Sequence, residues 1–156
     1  MVKRFLSIAV LGLTWAALSM TPAMAAPPEP ADATFEIDAA CQFPVLVEVT
    51  GKTKTIEHKG STTFISPNQR ATLTNIETGE SVIYVITGVL RETPTATGVV
   101  LRFTGHNLVF GPDIEGILVL TGSHTFVAVG PSPEEATVTL TESHGTVVNV
   151  CDVLAP

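Results

Sequence analysis

The stretch FPVLVEVTGKTKTIEH, residues 43–58, decides how the chain is read. Phe43, Val45, Val47 and Val49 occupy every second position, and in an extended backbone such residues share one face. Thr50-Gly51-Lys52 then supplies a turn, and Lys54 to His58 resumes the alternation, so the pattern predicts a β-hairpin. Outward from it, Arg70 to Ile76 and Ser81 to Leu90 flank the turn Glu77-Thr78-Gly79-Glu80 and predict a second antiparallel pair. Within that pair Val82-Ile83-Tyr84-Val85-Ile86 is apolar on both faces, which predicts a central strand. Shorter β runs follow at Val99 to Thr104, Leu108 to Phe110, Gly116 to Thr121, Ser123 to Val129, Thr137 to Thr141 and Thr146 to Cys151. Turn-forming residues separate them at roughly 8–12-residue intervals, and no stretch repeats with a helical period. The connections are too short for crossover helices, so the chain reads as all-β: an antiparallel meander of roughly ten strands forming a β-sandwich or a closed β-barrel.

Two corners interrupt this pattern. Ser66-Pro67-Asn68-Gln69 and Ser132-Pro133-Glu134-Glu135 each place serine at a cap, proline at a first helical position and Gln or Glu three residues after the serine, which predicts short helical turns. ATLTNIETGESVIYV from Ala71 and ATVTLTESHGTVVNV from Ala136 echo each other, as any two strands rich in threonine and valine would.

At the N-terminus Lys3 and Arg4 precede an apolar run from Phe5 to Leu18 and the small-residue stretch Ala23-Met24-Ala25-Ala26. That is the layout of a secretory signal peptide, with cleavage between Ala25 and Ala26, because Ala23 and Ala25 supply the two small side chains the cut requires. The apolar run falls short of the roughly 20 residues a spanning helix needs, and no later stretch is long enough to hold the product in a membrane. The chain thus divides into a signal peptide (1–25), a flexible linker (26–34) containing APPEPADA, and a single β domain (35–156). Removing 25 of the 156 residues leaves 131; two of the 8 Lys/Arg go with the leader, so 6 face 15 Asp/Glu and the formal charge moves from -7 to -9. Such an acidic domain repels nucleic acid and anionic lipid on average. Trp15, the one tryptophan, also belongs to the leader. The mature protein is therefore expected to show only tyrosine and phenylalanine emission, and indole fluorescence from purified extracellular protein would show that the leader is retained.

Cys41 and Cys151 are the only cysteines, 110 positions apart, and export delivers both to an oxidising compartment. A disulfide is the expected outcome. Asp38-Ala39-Ala40-Cys41 provides none of the basic neighbour, helix N-terminus or post-leader lipobox that a reactive or lipid-modified thiol requires.

The chemistry-bearing residues form no recognisable motif. His58, His106, His124 and His144 lack the spacing of a zinc site, and no G-x-S-x-G elbow occurs. Ser123-His124 and Ser143-His144 are sequence neighbours, but adjacent strand residues point to opposite faces, so neither pair can act on itself. Glu48, Glu57 and Glu77 read as solvent-facing, and Gly111-Pro112-Asp113-Ile114-Glu115-Gly116 has too few ligands for a calcium loop. No cofactor or metal is implied. Gly105-His106-Asn107 separates two apolar runs, which places His106 and Asn107 at the exposed start of a short strand, the rim where a binding site would lie.

The strings GKTKTIE from Gly51, SPNQRATLTN from Ser66, TGHNLVFGP from Thr104 and VCDVLA from Val150 resemble an uncharacterised family of small secreted actinobacterial β-rich proteins with two cysteines. The resemblance spans most of the mature domain and implies export and a bridged β domain, with no catalytic or binding residues to carry over. Together these readings point to a secreted, extracellular or cell-wall-associated, non-catalytic β domain that binds an extracellular or cell-surface ligand. A β-barrel carrier of a small apolar ligand, or a secreted hydrolase assembled from distant His, Ser and acidic residues, are the alternatives.

Overall fold

The computed structural model describes residues 26–111, 113–130 and 135–156. The leader through Ala25 lies outside these, as do Pro112 and Ser132-Pro133-Glu134 of the second proposed helical corner. The described residues form eleven strands and one helical turn in two antiparallel sheets, and the sheets do not close into a barrel. The wider sheet has the order β1 (Glu29–Pro30), β4 (Lys52–His58), β5 (Ser61–Ile65), β8 (Gly88–Pro94), β9 (Gly98–Val109), β10 (Leu118–Val129) and β11 (Thr137–Asn149). The narrower one has the order β2 (Ala33–Ile37), β3 (Val45–Thr50), β6 (Arg70–Asn75) and β7 (Ser81–Val85), and α1 (Val150–Val153) follows β11. Only β8 to β11 is a true meander; earlier strands alternate between the sheets.

The alternation in residues 43–49 does what its period dictates, since Phe43, Val45 and Val47 are buried and Val49 packs against the same cluster. The expected hairpin, however, does not form. β3 pairs with β2 and β6, whereas β4 pairs with β1 and β5. Gly51 carries the chain from one sheet to the other at φ 126, where a Cβ would lie 2.5 Å from the Asn68 carbonyl oxygen. The second pair forms as expected, with Thr74 opposite Ser81 and the Gly79 amide donating to the Asn75 carbonyl at 2.8 Å. Asn75 is fully buried there: its amide donates to Leu154 O at 2.9 Å, and its Oδ1 accepts from the Glu77 amide at 2.9 Å. The run expected to be central is instead the edge strand β7. Val82 and Tyr84 face the core, while Ile83 and Val85 stand exposed, because the narrow sheet is covered on one face only.

Two apolar clusters hold the fold. In the first, Val45, Val47, Ala71 and Leu73 of the narrow sheet meet Ile117 and Val119 of the wide sheet, with Val150 and Leu154 closing one end. Fully burying each of the larger side chains stabilises the fold by roughly 1.5–3 kcal/mol, so this cluster is what joins the sheets. The second lies on the opposite side of the wide sheet and contains Phe103, Val109, Leu120 and Phe126, the two rings meeting edge-to-face at 5.6 Å.

Other sequence expectations shift in detail. The segment read as a linker contributes β1 and the start of β2. β5 had no counterpart in the reading, and Ser66 to Gln69 is a tight turn with Asn68 at φ 57 rather than a helical one. Three pairs of short runs fuse into β9, β10 and β11, passing through Gly105, Gly122 and Gly145. The echo dissolves, since residues 71–85 form a hairpin and residues 137–149 one continuous strand.

Candidate binding face

The two cysteines are bonded, with Cα atoms 5.3 Å apart. Cys41 follows β2, and Cys151, read as the end of the last strand, sits in α1. Asn149 caps that turn, its Oδ1 accepting from the Cys151 amide at 3.1 Å. Beside the bridge lies a cavity of about 660 Å³, lined among others by Ala39, Phe43, Glu77, Glu115, Asn149 and Asp152. Three carboxylates at its wall make it a poor match for an apolar ligand. No group of three or more His, Cys, Asp or Glu among the described residues is placed to hold a metal ion.

His106 and Asn107 lie well inside β9, not at the start of a strand, because glycine at 105 bends the strand without ending it. Both are committed to the sheet. His106 is exposed and its Nδ1 lies 3.1 Å from Thr121 Oγ1 on β10; Asn107 is 8% exposed and its amide donates to Thr104 O at 3.0 Å. They point to opposite faces, as neighbours on a strand must.

The Ser-His question has an answer that sequence adjacency hid. Register pairs His124 with Ser143 and Ser123 with His144 across β10 and β11. His124 is 1% exposed; its Nε2–H donates to the Thr121 carbonyl at 3.2 Å, and its Nδ1 lies 3.0 Å from Ser143 Oγ. The arrangement satisfies a buried imidazole against two backbone-fixed partners. The nearest acid on β11, Glu142, accepts from Thr125 Oγ1 at 3.3 Å on the other face, so no carboxylate completes a triad.

What remains is surface, and the unequal sizes of the sheets create it. β9 and β10 have 12 residues each, about 40 Å, while β3 and β6 have 6, about 20 Å. The narrow sheet meets the wide one where Leu108 and Val119 join the first cluster. The same face continues past Thr104 and Ser123 through Arg102, Thr125, Val100 and Val127, with Arg102 exposed and the valines half-buried. Lys54, Arg91 and Arg102 belong to the overhanging face by register, with Glu142 at its β11 edge beside Thr125, whereas Glu57 and Glu92 alternate onto the other. Arg91 and Arg102 are direct cross-strand partners. Sequence reading passed over them, although Pro94-Thr95-Ala96-Thr97-Gly98 is a turn about which the two arginines are symmetric.

No family model, curated protein or solved structure matches the chain. One disulfide is formed, and no helix among the described residues is long and apolar enough to cross a membrane.

Proposed function

We propose that this is a secreted, non-catalytic extracellular binding module, of the kind its actinobacterial resemblance implies, which presents the overhanging face of its wide sheet to a cell-surface or extracellular ligand. The observation that carries this reading is the mismatch in strand length, which leaves about half of the long strands' face without cover from the narrow sheet. A scaffold held by two cores and a bridge presents side chains at fixed spacings, which lowers the ordering cost of recognition. The buried polar side chains are used up internally: no buried side-chain N or O atom among the described residues lacks a hydrogen-bond partner. That favours binding over catalysis, which draws on polar groups held ready for a substrate.

The centre of the face is the cross-strand pair Val100 and Val127, with Thr93 beyond it on β8. The variant Val100→Asn/Val127→Asn removes the apolar centre without altering charge. Cosedimentation with washed cells of the source organism is expected to fall by roughly tenfold, the effect of losing a small apolar contact centre worth about 1.4 kcal/mol. Undiminished cosedimentation of a normally folded variant would rule the face out.

A further inference from the structure

Resting on that reading, we infer that Arg91 and Arg102 form a two-pronged site for a carboxylate, and that the ligand of the face is a polysaccharide bearing uronic acid groups. The inference begins with a rule the pair breaks. Directly opposed residues on neighbouring antiparallel strands bring their Cβ atoms to roughly 4.5–5.5 Å, and like charges at such positions destabilise a sheet. Here both residues are exposed arginines, in a chain whose acidic side chains outnumber its basic ones. Their lateral neighbours in the same row are Thr63 and Thr125, and their neighbours along the strands are Val89, Thr93, Val100 and Thr104, so register sets no carboxylate directly beside them; the one acid in the row, Glu142, stands a further strand away on β11 and accepts from Thr125 Oγ1. Arg91 Nη2 donates to Ser61 Oγ at 3.1 Å, which anchors that guanidinium and leaves its other N–H groups to solvent. Two guanidinium forks held a strand apart match the planar, bidentate geometry of a carboxylate group, and binding one relieves the repulsion between them.

The surroundings narrow the ligand further. The hydroxyls of Thr63, Thr93 and Thr104 border the arginines and suit the hydroxyls of sugar rings. No aromatic residue shares these rows, so the face lacks the stacking platforms that single-stranded nucleic acids require. Lys54 extends the positive potential along the same face, two strands from Arg91.

The test uses the full mature protein and three probes in affinity electrophoresis: polygalacturonate, neutral dextran and single-stranded DNA. Retardation by polygalacturonate alone is expected, weakening as salt is raised. Arg91→Glu/Arg102→Glu should abolish it, and Arg91→Lys/Arg102→Lys, which keeps the charge but loses the fork, should weaken it roughly tenfold. Absence of retardation by polygalacturonate, equal retardation of the Glu variant, or preference for DNA would each overturn the proposal. Cosedimentation separates this outcome from failure of the broader reading. If the Glu variant still binds cells while Val100→Asn/Val127→Asn does not, the arginine site is wrong and the face stands; if both bind normally, both are wrong.

Discussion

Replacing both cysteines, as Cys41→Ala/Cys151→Ala, is expected to destabilise the protein by roughly 2–5 kcal/mol, the largest effect of any change to its covalent structure. The bridge closes a loop of 110 residues, and the loss of that restraint on the unfolded chain alone accounts for about 4–5 kcal/mol on the chain-entropy model. Folded-state packing adds to it. Both cysteines lie against the first cluster beside Val150 and Leu154, so the bridge holds α1 over the end of the core. Without it, a one-turn helix held by the Asn149 cap and the bond from Asn75 to Leu154 O would fray, because four residues are far below the length at which a helix stands alone. The measurement is thermal unfolding of purified protein with and without reductant. A domain of this size shifts by roughly 4 °C per kcal/mol, so the wild type in reductant and the double variant should both melt about 8–20 °C below the oxidised wild type. Equal melting temperatures for all three would show that the bridge contributes nothing.

The sequence carried the side-chain alternation and therefore the β class, the turn at Gly79 and the pairing of the two cysteines. It did not carry strand pairing across the molecule, because alternation says which residues share a face and nothing about which strand lies alongside. Gly51 illustrates the limit. A turn signal between two alternating runs is the same whether the chain folds back on itself or steps to another sheet, and only β6 on one side of β3 and β5 on one side of β4 decide it. Val82 to Ile86 fails for a related reason: an apolar run on both faces marks a central strand only if something covers both, and here Ile83 faces solvent. The candidate face was invisible for the same cause. His106 and Asn107 drew attention as polar residues near a glycine, whereas the arginines become a site only when β8 and β9 are set in register, eleven residues apart in the chain and opposite in space.

The second large effect concerns a row of glycines, three of which, Gly105, Gly122 and Gly145, fall between the separate β runs expected from sequence. Gly88, Gly105, Gly122 and Gly145 stand opposite one another across β8, β9, β10 and β11. On a flat sheet Phe103 and Leu120 would be four positions apart along the strand direction, about 13 Å, yet they belong to one apolar cluster. The row is where the sheet bends to bring them together, and it does so by letting backbones approach closer than any side chain permits. A Cβ at Gly145 would lie 1.9 Å from the Thr121 carbonyl oxygen, and one at Gly122 would lie 2.2 Å from that of His144. Both atoms belong to the paired backbone, so relief means parting β10 from β11. Gly145→Ala is therefore expected to cost roughly 3 kcal/mol or more, combining backbone strain at φ 136 with overpacking, each about 1–3 kcal/mol. Gly79 provides the control within the same molecule. It too has a left-handed backbone, φ 76, but a Cβ there meets nothing within 4 Å, so Gly79→Ala should cost only the strain, about 1–2 kcal/mol. Urea unfolding of the two variants separates the contributions. If Gly145→Ala proved no more destabilising than Gly79→Ala, the close approach would be without energetic consequence and the bend would need another cause. If it is the more destabilising, as expected, β11 should also loosen first, and amide exchange should quicken across Ser143 to Asn149 before it does in β3 and β6, which the glycine row does not cross.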